Sequence, residues 1–162
     1  MILLDTNVIS ELLRPSPEPA VVRFVATQAP ESLFTAAICE AEIHYGLARL
    51  PAGRRRDDLE TRVATFLATG FAARILRFDS ACAALYGKIR ARREAAGRPI
   101  SVEDAMIAAT ARAYGAIIAT RNLTDFRECD VDLVNPWEGS AWLAEDAGPG
   151  TSASVARSRA DG

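Results

Sequence analysis

The sequence contains few of the residues that most often mark a site. It has 162 residues with one histidine and three cysteines, and the cysteines are widely spaced, with no C-x-x-C pair. This pattern argues against a zinc site or a disulfide framework and favours buried free thiols in a reducing compartment. No apolar run has the length of a membrane span, and the N-terminal run meets an aspartate at once, so no signal peptide is expected. We therefore expect a cytoplasmic protein without a membrane partner.

An excess of charge of one sign is also missing. The formal net charge of −2 gives no overall case for nucleic-acid binding, which would need a local basic surface. Lys88 is the only lysine, so the basic side chains are almost all arginines, which can bind phosphate through two parallel hydrogen bonds. The composition, 49% hydrophobic and 25% charged, is that of a globular domain with a substantial core.

Short apolar runs alternate with helical patterns along the chain. Strands are predicted at residues 2–4, 32–35, 74–78, 116–120 and 131–134. The alternation predicts an α/β fold, a three-layer α/β/α domain with a mainly parallel central sheet of four to five strands. This domain is expected to cover residues 1–138. Residues 139–162 lack a repeating apolar face, which predicts a flexible C-terminal tail.

Four acidic residues fall where such a sheet would bind a ligand. Asp5 ends the first strand, Glu42 lies early in the helix after the second, Asp104 begins the helix before the fourth, and Asp125 lies just beyond the fourth. Ligands of open parallel sheets bind beyond the carboxyl ends of the strands, so the four acids could share one rim. Each has an ordinary alternative: a helix cap for Asp5, a capping box with Ser101 for Asp104, a solvated helix residue for Glu42, and a turn residue for Asp125.

Four stretches carry these acids, in order: LLDTNVISEL, AAICEAEIHYGLARLPAGRRR, RREAAGRPISVEDAMIAATARAYGA, and ATRNLTDF followed by VDLVNPW. They resemble the PIN-domain family, and within it the VapC and FitB-like toxins of bacterial toxin–antitoxin pairs. The resemblance covers about residues 1–138 and places Asp5, Glu42 and Asp104 on the first three acidic positions of the family. Asn122 stands where many members have the fourth acid, and Asp125 is the nearest acid to it.

The resemblance implies a toxic endoribonuclease that depends on Mg²⁺, for which Mn²⁺ can substitute. Asp5 and Asp104 would be the main metal ligands, Glu42 would bind directly or through water, and Asp125 would complete or orient the site. The resemblance also implies a cognate VapB- or FitA-like antitoxin, a homodimer, and contact with DNA only through the antitoxin.

Elementary electrostatics agrees with a bound cation. Two carboxylates ~5 Å apart at an effective dielectric of about 20 repel each other by roughly 3 kcal/mol. A divalent ion removes this cost, accepts oxygen ligands, and can activate water beside a phosphodiester. No histidine is required, so His44 is expected to be a structural residue or a contact at the rim.

Other residues are candidates for supporting roles. Those expected to hold the acids in place are Thr6, Asn7, Thr120 and Asn122. RNA binding could come from two groups of arginines, Arg54, Arg55 and Arg56 and, further along the chain, Arg90, Arg92, Arg93 and Arg98. The ordinary alternative for most of these arginines is a solvated helix face of mixed charge.

Three other functions compete with the nuclease. A haloacid-dehalogenase-like phosphatase needs a second aspartate two residues after Asp5, where Asn7 stands, and a receiver domain lacks its acidic partner for a similar reason. A catalytically weak or inactive PIN-fold binding module, acting through RNA or antitoxin binding, is the main alternative because the fourth motif is altered.

Overall fold

Five short apolar runs of the sequence form the parallel strands of a single sheet. In the computed structural model, which describes residues 1–138 and 142–143, the strands are Ile2–Leu4 (β1), Leu33–Ala36 (β2), Ile75–Leu76 (β3), Ile117–Ala119 (β4), Leu133–Val134 (β5) and Trp142–Leu143 (β6). Their order is β3-β2-β1-β4-β5-β6, and β6 alone runs antiparallel to its neighbour. The predicted α/β fold with a mainly parallel sheet is confirmed.

The sixth strand lies in the segment predicted to be a tail. Backbone pairing of β6 with β5 joins residues 142–143 to the sheet edge. A two-residue strand leaves too little alternation in the sequence to be recognised. The rest of the predicted tail, 139–141 and 144–162, lies outside the described residues.

Helices connect the parallel strands. They are Thr6–Leu12 (α1), Pro19–Ala26 (α2), Ala37–Ala48 (α3), Arg54–Gly70 (α4), Ser80–Ala95 (α5), Val102–Tyr114 (α6) and Leu123–Phe126 (α7). Pro19 begins α2, where its missing N–H costs nothing, and Gly115 ends α6 with a φ of 63°, which glycine adopts freely. Within the described part of the chain, no helix is both long and apolar enough to cross a bilayer.

Successive residues of β1 face opposite sides of the sheet, and each side has its own hydrophobic core. Leu3 packs in one core with Ile89 of α5 and Ile107 of α6. Leu4 packs in the other core with Val63 of α4. Full burial of such a side chain contributes about 1.5–3 kcal/mol to stability. Helices therefore cover both faces of the sheet, which confirms the three-layer arrangement.

The position of β1 in the sheet determines where a ligand can bind. β2 pairs with one side of β1 and β4 with the other, so the strand order reverses direction at β1. A crevice opens beyond the carboxyl ends of the strands at such a point. Asp5 follows β1 directly and Thr120 follows β4, and the fold thereby joins two side chains 115 residues apart in sequence.

Candidate metal centre

Asp5 is the most enclosed acid of the crevice, with 5% of its surface exposed. Its Oδ1 accepts a hydrogen bond from the Thr6 backbone N–H at 2.7 Å. Its Oδ2 accepts from Asn7 Nδ2 at 2.5 Å and from the Thr120 hydroxyl at 2.7 Å. Asp5 therefore caps α1 with one oxygen, which is the structural role expected of it as an alternative to metal binding. Its other oxygen is held in place by Asn7 and, across the crevice, by Thr120.

Glu42 reaches the same place from α3. Its Oε2 accepts a hydrogen bond from the Thr6 hydroxyl at 2.6 Å, so Thr6 contacts both acids. Ligand atoms of Asp5, Glu42 and Cys39 all lie within 4.8 Å of one another. Cys39 is buried, as expected of a free thiol, but its place beside the acids was not predicted. Its spacing of three residues from Glu42 on one helix could have indicated this, because such residues share a face.

Asp104 approaches from the first turn of α6. The Ser101 hydroxyl accepts from the Asp104 backbone N–H at 2.9 Å and donates to Asp104 Oδ2 at 2.6 Å. Ser101 is thus the cap of α6, and the Asp104 carboxylate is oriented by the cap instead of providing it. Asp125 lies in the first turn of α7 and is exposed.

The acids influence one another electrostatically. The pKa of Asp5 is raised to about 6, mainly by burial and also by the charges of Asp104 and Glu42, while the hydrogen bonds from Thr120 and Thr6 oppose the rise. Burial is also the main cause of the raised pKa values of Glu42 and Asp104. The charge of Asp104 adds to the rise at Glu42, and the charge of Asp125 adds to the rise at Asp104. The charge of Asp104 thus reaches Asp5 and Glu42, and that of Asp125 reaches Asp104, while the group of ligand atoms within 4.8 Å of one another includes neither Asp104 nor Asp125.

The surroundings of these acids fit a hard divalent cation. Among the described residues, no Lys, Arg or His nitrogen lies within 4.0 Å of Asp5, Glu42, Asp104 or Asp125. Burial raises the pKa of the Cys39 thiol to about 12, and the charge of Asp5 adds to the effect. A protonated thiol is a poor ligand, so the donors available are carboxylate oxygens, which Mg²⁺ and Mn²⁺ prefer.

The residues expected to support the acids differ in their contacts. Thr6, Asn7 and Thr120 each donate a hydrogen bond to a carboxylate oxygen of the cluster. Asn122 contributes its backbone N–H, which donates to the Thr120 hydroxyl at 3.0 Å, and its side chain is exposed. The geometry thus brings the side chains of Thr6, Asn7 and Thr120 to the cluster, whereas Asn122 contacts it only through its backbone N–H.

A groove of about 870 Å³ opens beside the acids, between α1, α3 and α4. Thr6 and Glu42 lie along it, and much of its wall is apolar, with Leu47 and Val63 among the lining residues. Arg54, at the start of α4, also lines the groove. The groove therefore adjoins the acid cluster at Thr6 and Glu42 and is large enough to hold an extended segment of polypeptide or RNA.

The arginines predicted to bind RNA have different surroundings. Arg54 and Arg55 are exposed and line the groove. The others at the surface form ion pairs: Arg56 with Glu60, Arg90 with Glu94, Arg92 with Asp130, and Arg98 with Glu128. Arg93 is only 6% exposed, and its guanidinium donates to backbone carbonyl oxygens. RNA binding by Arg93 stays a prediction, and its guanidinium is buried and already bonded to the backbone.

Comparison with known proteins gives consistent matches. The sequence model of the PIN domain matches residues 2–131. The VapC ribonuclease Y4jK of Sinorhizobium fredii is 41% identical over 138 residues, 85% of this chain and 99% of the relative. Toxin FitB of Neisseria gonorrhoeae is 42% identical over 137 residues, with the same shares. A chain in the solved structure of FitAB bound to the IR36 DNA fragment matches with a TM-score of 0.79 and 42% identity, covering 85% of this chain and 96% of that one.

Proposed function

The chain belongs to the PIN-domain family, as its four acid-bearing stretches predicted, and we propose that it is a toxic, metal-dependent endoribonuclease of a toxin–antitoxin pair. It hydrolyses RNA phosphodiester bonds at a Mg²⁺ site, where Mn²⁺ can substitute. The observation that supports the proposal is that Asp5 and Glu42 have carboxylate oxygens within 4.8 Å of each other. The charge of Asp104 reaches both of them, and none of the three acids has a cationic side chain at contact distance in the described residues.

In this proposal Asp5 and Asp104 are the main metal ligands. Glu42 binds directly or through a water molecule, since Mg²⁺ commonly keeps several waters beside one or two carboxylates. Asp125, exposed next to Asp104, completes or orients the site, and Asn122 is the alternative residue for this role. Without a cation, burial and the repulsion from neighbouring charges, which raise the pKa values of Asp5, Glu42 and Asp104, would oppose their joint ionisation.

The chain's own residues hold the acids in the ionised, ligand-ready geometry. A divalent ion bound there supplies a water of lowered pKa and neutralises charge on the phosphodiester. Thr120 and Asn7 orient Asp5 by donating to its Oδ2, and Thr6 orients Glu42 by donating to its Oε2. His44 is exposed, with Nε2 4.0 Å from Glu40, and has no part in the reaction.

RNA would lie across the crevice and the adjoining groove. Arg54 and Arg55 are the best placed to bind its phosphates, because they are exposed and line the groove beside Glu42. Arg56 and Arg98 would first have to exchange a carboxylate partner for phosphate. Only substitutions of Arg54 and Arg55 are therefore expected to weaken RNA binding strongly.

The proposed partner is a VapB- or FitA-like antitoxin. Its apolar segment would lie in the groove, where it would cover the approach to Glu42 and compete with RNA. The FitB relative and the DNA-bound FitAB structure support this partner. DNA would be reached only through the antitoxin, and a homodimer and a cytoplasmic location complete the proposal.

A catalytically weak binding module is the second candidate, because Asn122 replaces the fourth acid and Asp125 is exposed. An experiment distinguishes the nuclease from the binding module: antitoxin-free protein is incubated with cellular RNA in Mg²⁺, in Mn²⁺ and in chelator, and the cleavage sites are mapped. The nuclease predicts metal-dependent cuts that Asp104→Asn abolishes. The matched control is Asp132→Asn, which changes an exposed aspartate at the amino end of β5. Absence of metal-dependent cleavage would favour the binding module.

A further inference from the structure

Arg93 lies near the end of α5 in surroundings unusual for a charged side chain. It is 6% exposed, and no carboxylate of the described residues lies within 4.0 Å of its guanidinium. Its Nε donates to the Arg98 carbonyl oxygen at 2.8 Å, and its Nη1 donates to the Arg127 carbonyl oxygen. Burying a cation is costly unless hydrogen bonds satisfy it, so these two carbonyl oxygens are strongly held.

The first carbonyl belongs to the segment that leads to Asp104. Arg98 lies three residues before Ser101, whose hydroxyl caps α6 and donates to the Asp104 carboxylate. The Arg98 N–H also donates to the Arg93 carbonyl at 2.9 Å. The turn between α5 and α6 is therefore held by Arg93 through both its backbone and its side chain.

The second carbonyl belongs to the segment that follows Asp125. Arg127 directly follows α7, whose first turn contains Asp125. The Arg93 guanidinium thus joins two stretches of backbone about thirty residues apart, each of which carries an acid of the cluster. Burial raises the pKa of Asp104, and the positive charge of Arg93 opposes that rise, so Arg93 lies within electrostatic reach of that acid.

We propose that Arg93 is a positioning residue of the metal centre, whose guanidinium sets the separation of Asp104 and Asp125 by bonding the backbone beside each. This inference rests on the proposed function, because it requires that Asp104 binds the cation. Arg93 contacts neither the metal nor the RNA. Side chains that orient metal ligands from outside typically change metal affinity by roughly 10- to 100-fold when removed.

The test compares Arg93→Gln and Arg93→Lys with Arg92→Gln. Arg92 is the adjacent, exposed arginine on the same helix and pairs with Asp130 at the surface, so its variant controls for loss of charge on α5. The probe is Mg²⁺ alone, titrated while thermal unfolding is measured, with Mn²⁺ as a repeat. This readout requires no RNA and no cleavage. A second measurement separates kcat from KM on an RNA substrate at saturating metal.

We expect Arg93→Gln to raise the half-saturating Mg²⁺ concentration roughly 10- to 100-fold and to leave KM for RNA unchanged. Arg93→Lys keeps the charge but cannot bond two carbonyls in the fixed geometry of the guanidinium, so it should also raise that concentration, by a smaller factor. Arg92→Gln should leave it unchanged.

Three results would overturn the inference. A lower melting temperature with unchanged metal affinity would show that Arg93 is merely structural. A raised KM for RNA with no other change would show that it is an RNA contact. A wild-type metal affinity in Arg93→Lys would show that positive charge alone, without the two carbonyl hydrogen bonds, maintains the metal site. If Arg93→Gln does not fold, Arg93→Lys decides in the same way. If the melting temperature of the unmutated protein does not change with metal, the proposed function fails as well. If the unmutated protein responds and both Arg93 variants bind Mg²⁺ with the same affinity as it does, only this inference is contradicted.

Discussion

Two aspartates hold the same local position in this chain and have opposite surroundings. Asp5 follows β1 and caps α1, and Asp79 follows β3 and caps α5 by accepting from the backbone N–H groups of Ala81 and Cys82 at 3.0 and 3.1 Å. Burial raises the pKa of Asp5 to about 6, whereas the hydrogen bonds from Cys82 lower that of the exposed Asp79. An aspartate that ends a strand and caps a helix is therefore not, by itself, a site.

The strand order explains the difference. β1 lies inside the sheet, so Thr120 arrives beside Asp5 from the end of β4, and Glu42 arrives from the helix that follows β2. Within the described residues β3 is the edge strand with one neighbour, β2, so no strand end lies beyond Asp79 to bring a second acid to it. Position within the sheet converts a helix cap into a possible metal ligand.

The largest effect that would test this comparison is on catalysis. Asp5→Asn should lower metal-dependent RNA cleavage by at least about a thousandfold, because the cation supplies several kcal/mol of transition-state stabilisation. Asp79→Asn should leave cleavage unchanged and weaken only the cap of α5. Single-turnover cleavage at saturating Mg²⁺, with thermal unfolding of each variant, measures both. Similar losses in the two variants would contradict the distinction between them.

The next effect is on the pH dependence of stability in the metal-free protein. The pKa of Asp5 rises from 3.8 to about 6 on folding, so the folded state binds more protons between these values and stability falls as pH rises through that window. The fall is roughly 3 kcal/mol. The pKa of Asp79 is lowered, so its contribution has the opposite sign and is lost as pH falls through its folded pKa.

Urea unfolding in chelator from pH 4 to 7 measures this slope. Asp5→Asn should remove most of the fall, leaving a smaller part from Glu42 and Asp104, whose pKa values are also raised. Asp79→Asn is the control and should keep the fall. A wild-type stability that rises from pH 4 to 6, with the same slope in Asp5→Asn, would contradict the burial of an uncompensated carboxylate.

A smaller effect, on Mg²⁺ affinity, is expected from removing the Thr120 hydroxyl, which the end of β4 brings beside Asp5. The Thr120 hydroxyl donates to Asp5 at 2.7 Å and accepts from Asn7 Nδ2 at 2.9 Å and the Asn122 N–H at 3.0 Å. Thr120→Val should weaken Mg²⁺ binding roughly 10- to 100-fold. Thr110→Val is the matched control, since Thr110 is equally buried and donates to the Met106 carbonyl on α6 at 2.8 Å, away from the acids. Equal metal affinity of the two variants, measured by thermal titration, would remove Thr120 from the centre.

The sequence was sufficient for the fold because its signals were local and regular. The apolar run before Asp5, the prolines before α2 and the cap at Ser101 each determine a short stretch of backbone, and the alternation of strands and helices then restricts the topology. α7 and β6 were missed, because elements of four and two residues have no apolar period to detect.

The site was predictable to the extent that the topology determines it. Asp5 and Glu42 follow strands, and a rule about strand ends brings them together. The place of Cys39 beside the acids and the burial of Arg93 were not predicted, because both depend on side-chain packing between distant segments. A buried arginine that bonds only carbonyl oxygens has the same sequence signature as one on a charged helix face.

The smallest expected effect concerns the thiol that shares the Asp5 cluster. Burial keeps Cys39 protonated at neutral pH, since it raises the pKa of the thiol to about 12, and a hard cation prefers oxygen to sulfur. Cys39→Ala should therefore change cleavage by less than about threefold, which is under 1 kcal/mol. Cys82→Ala, at a buried cysteine on α5, controls for the loss of a buried sulfur. A tenfold or larger loss of cleavage in Cys39→Ala alone would show that proximity to Asp5 makes even an uncharged thiol part of the metal centre.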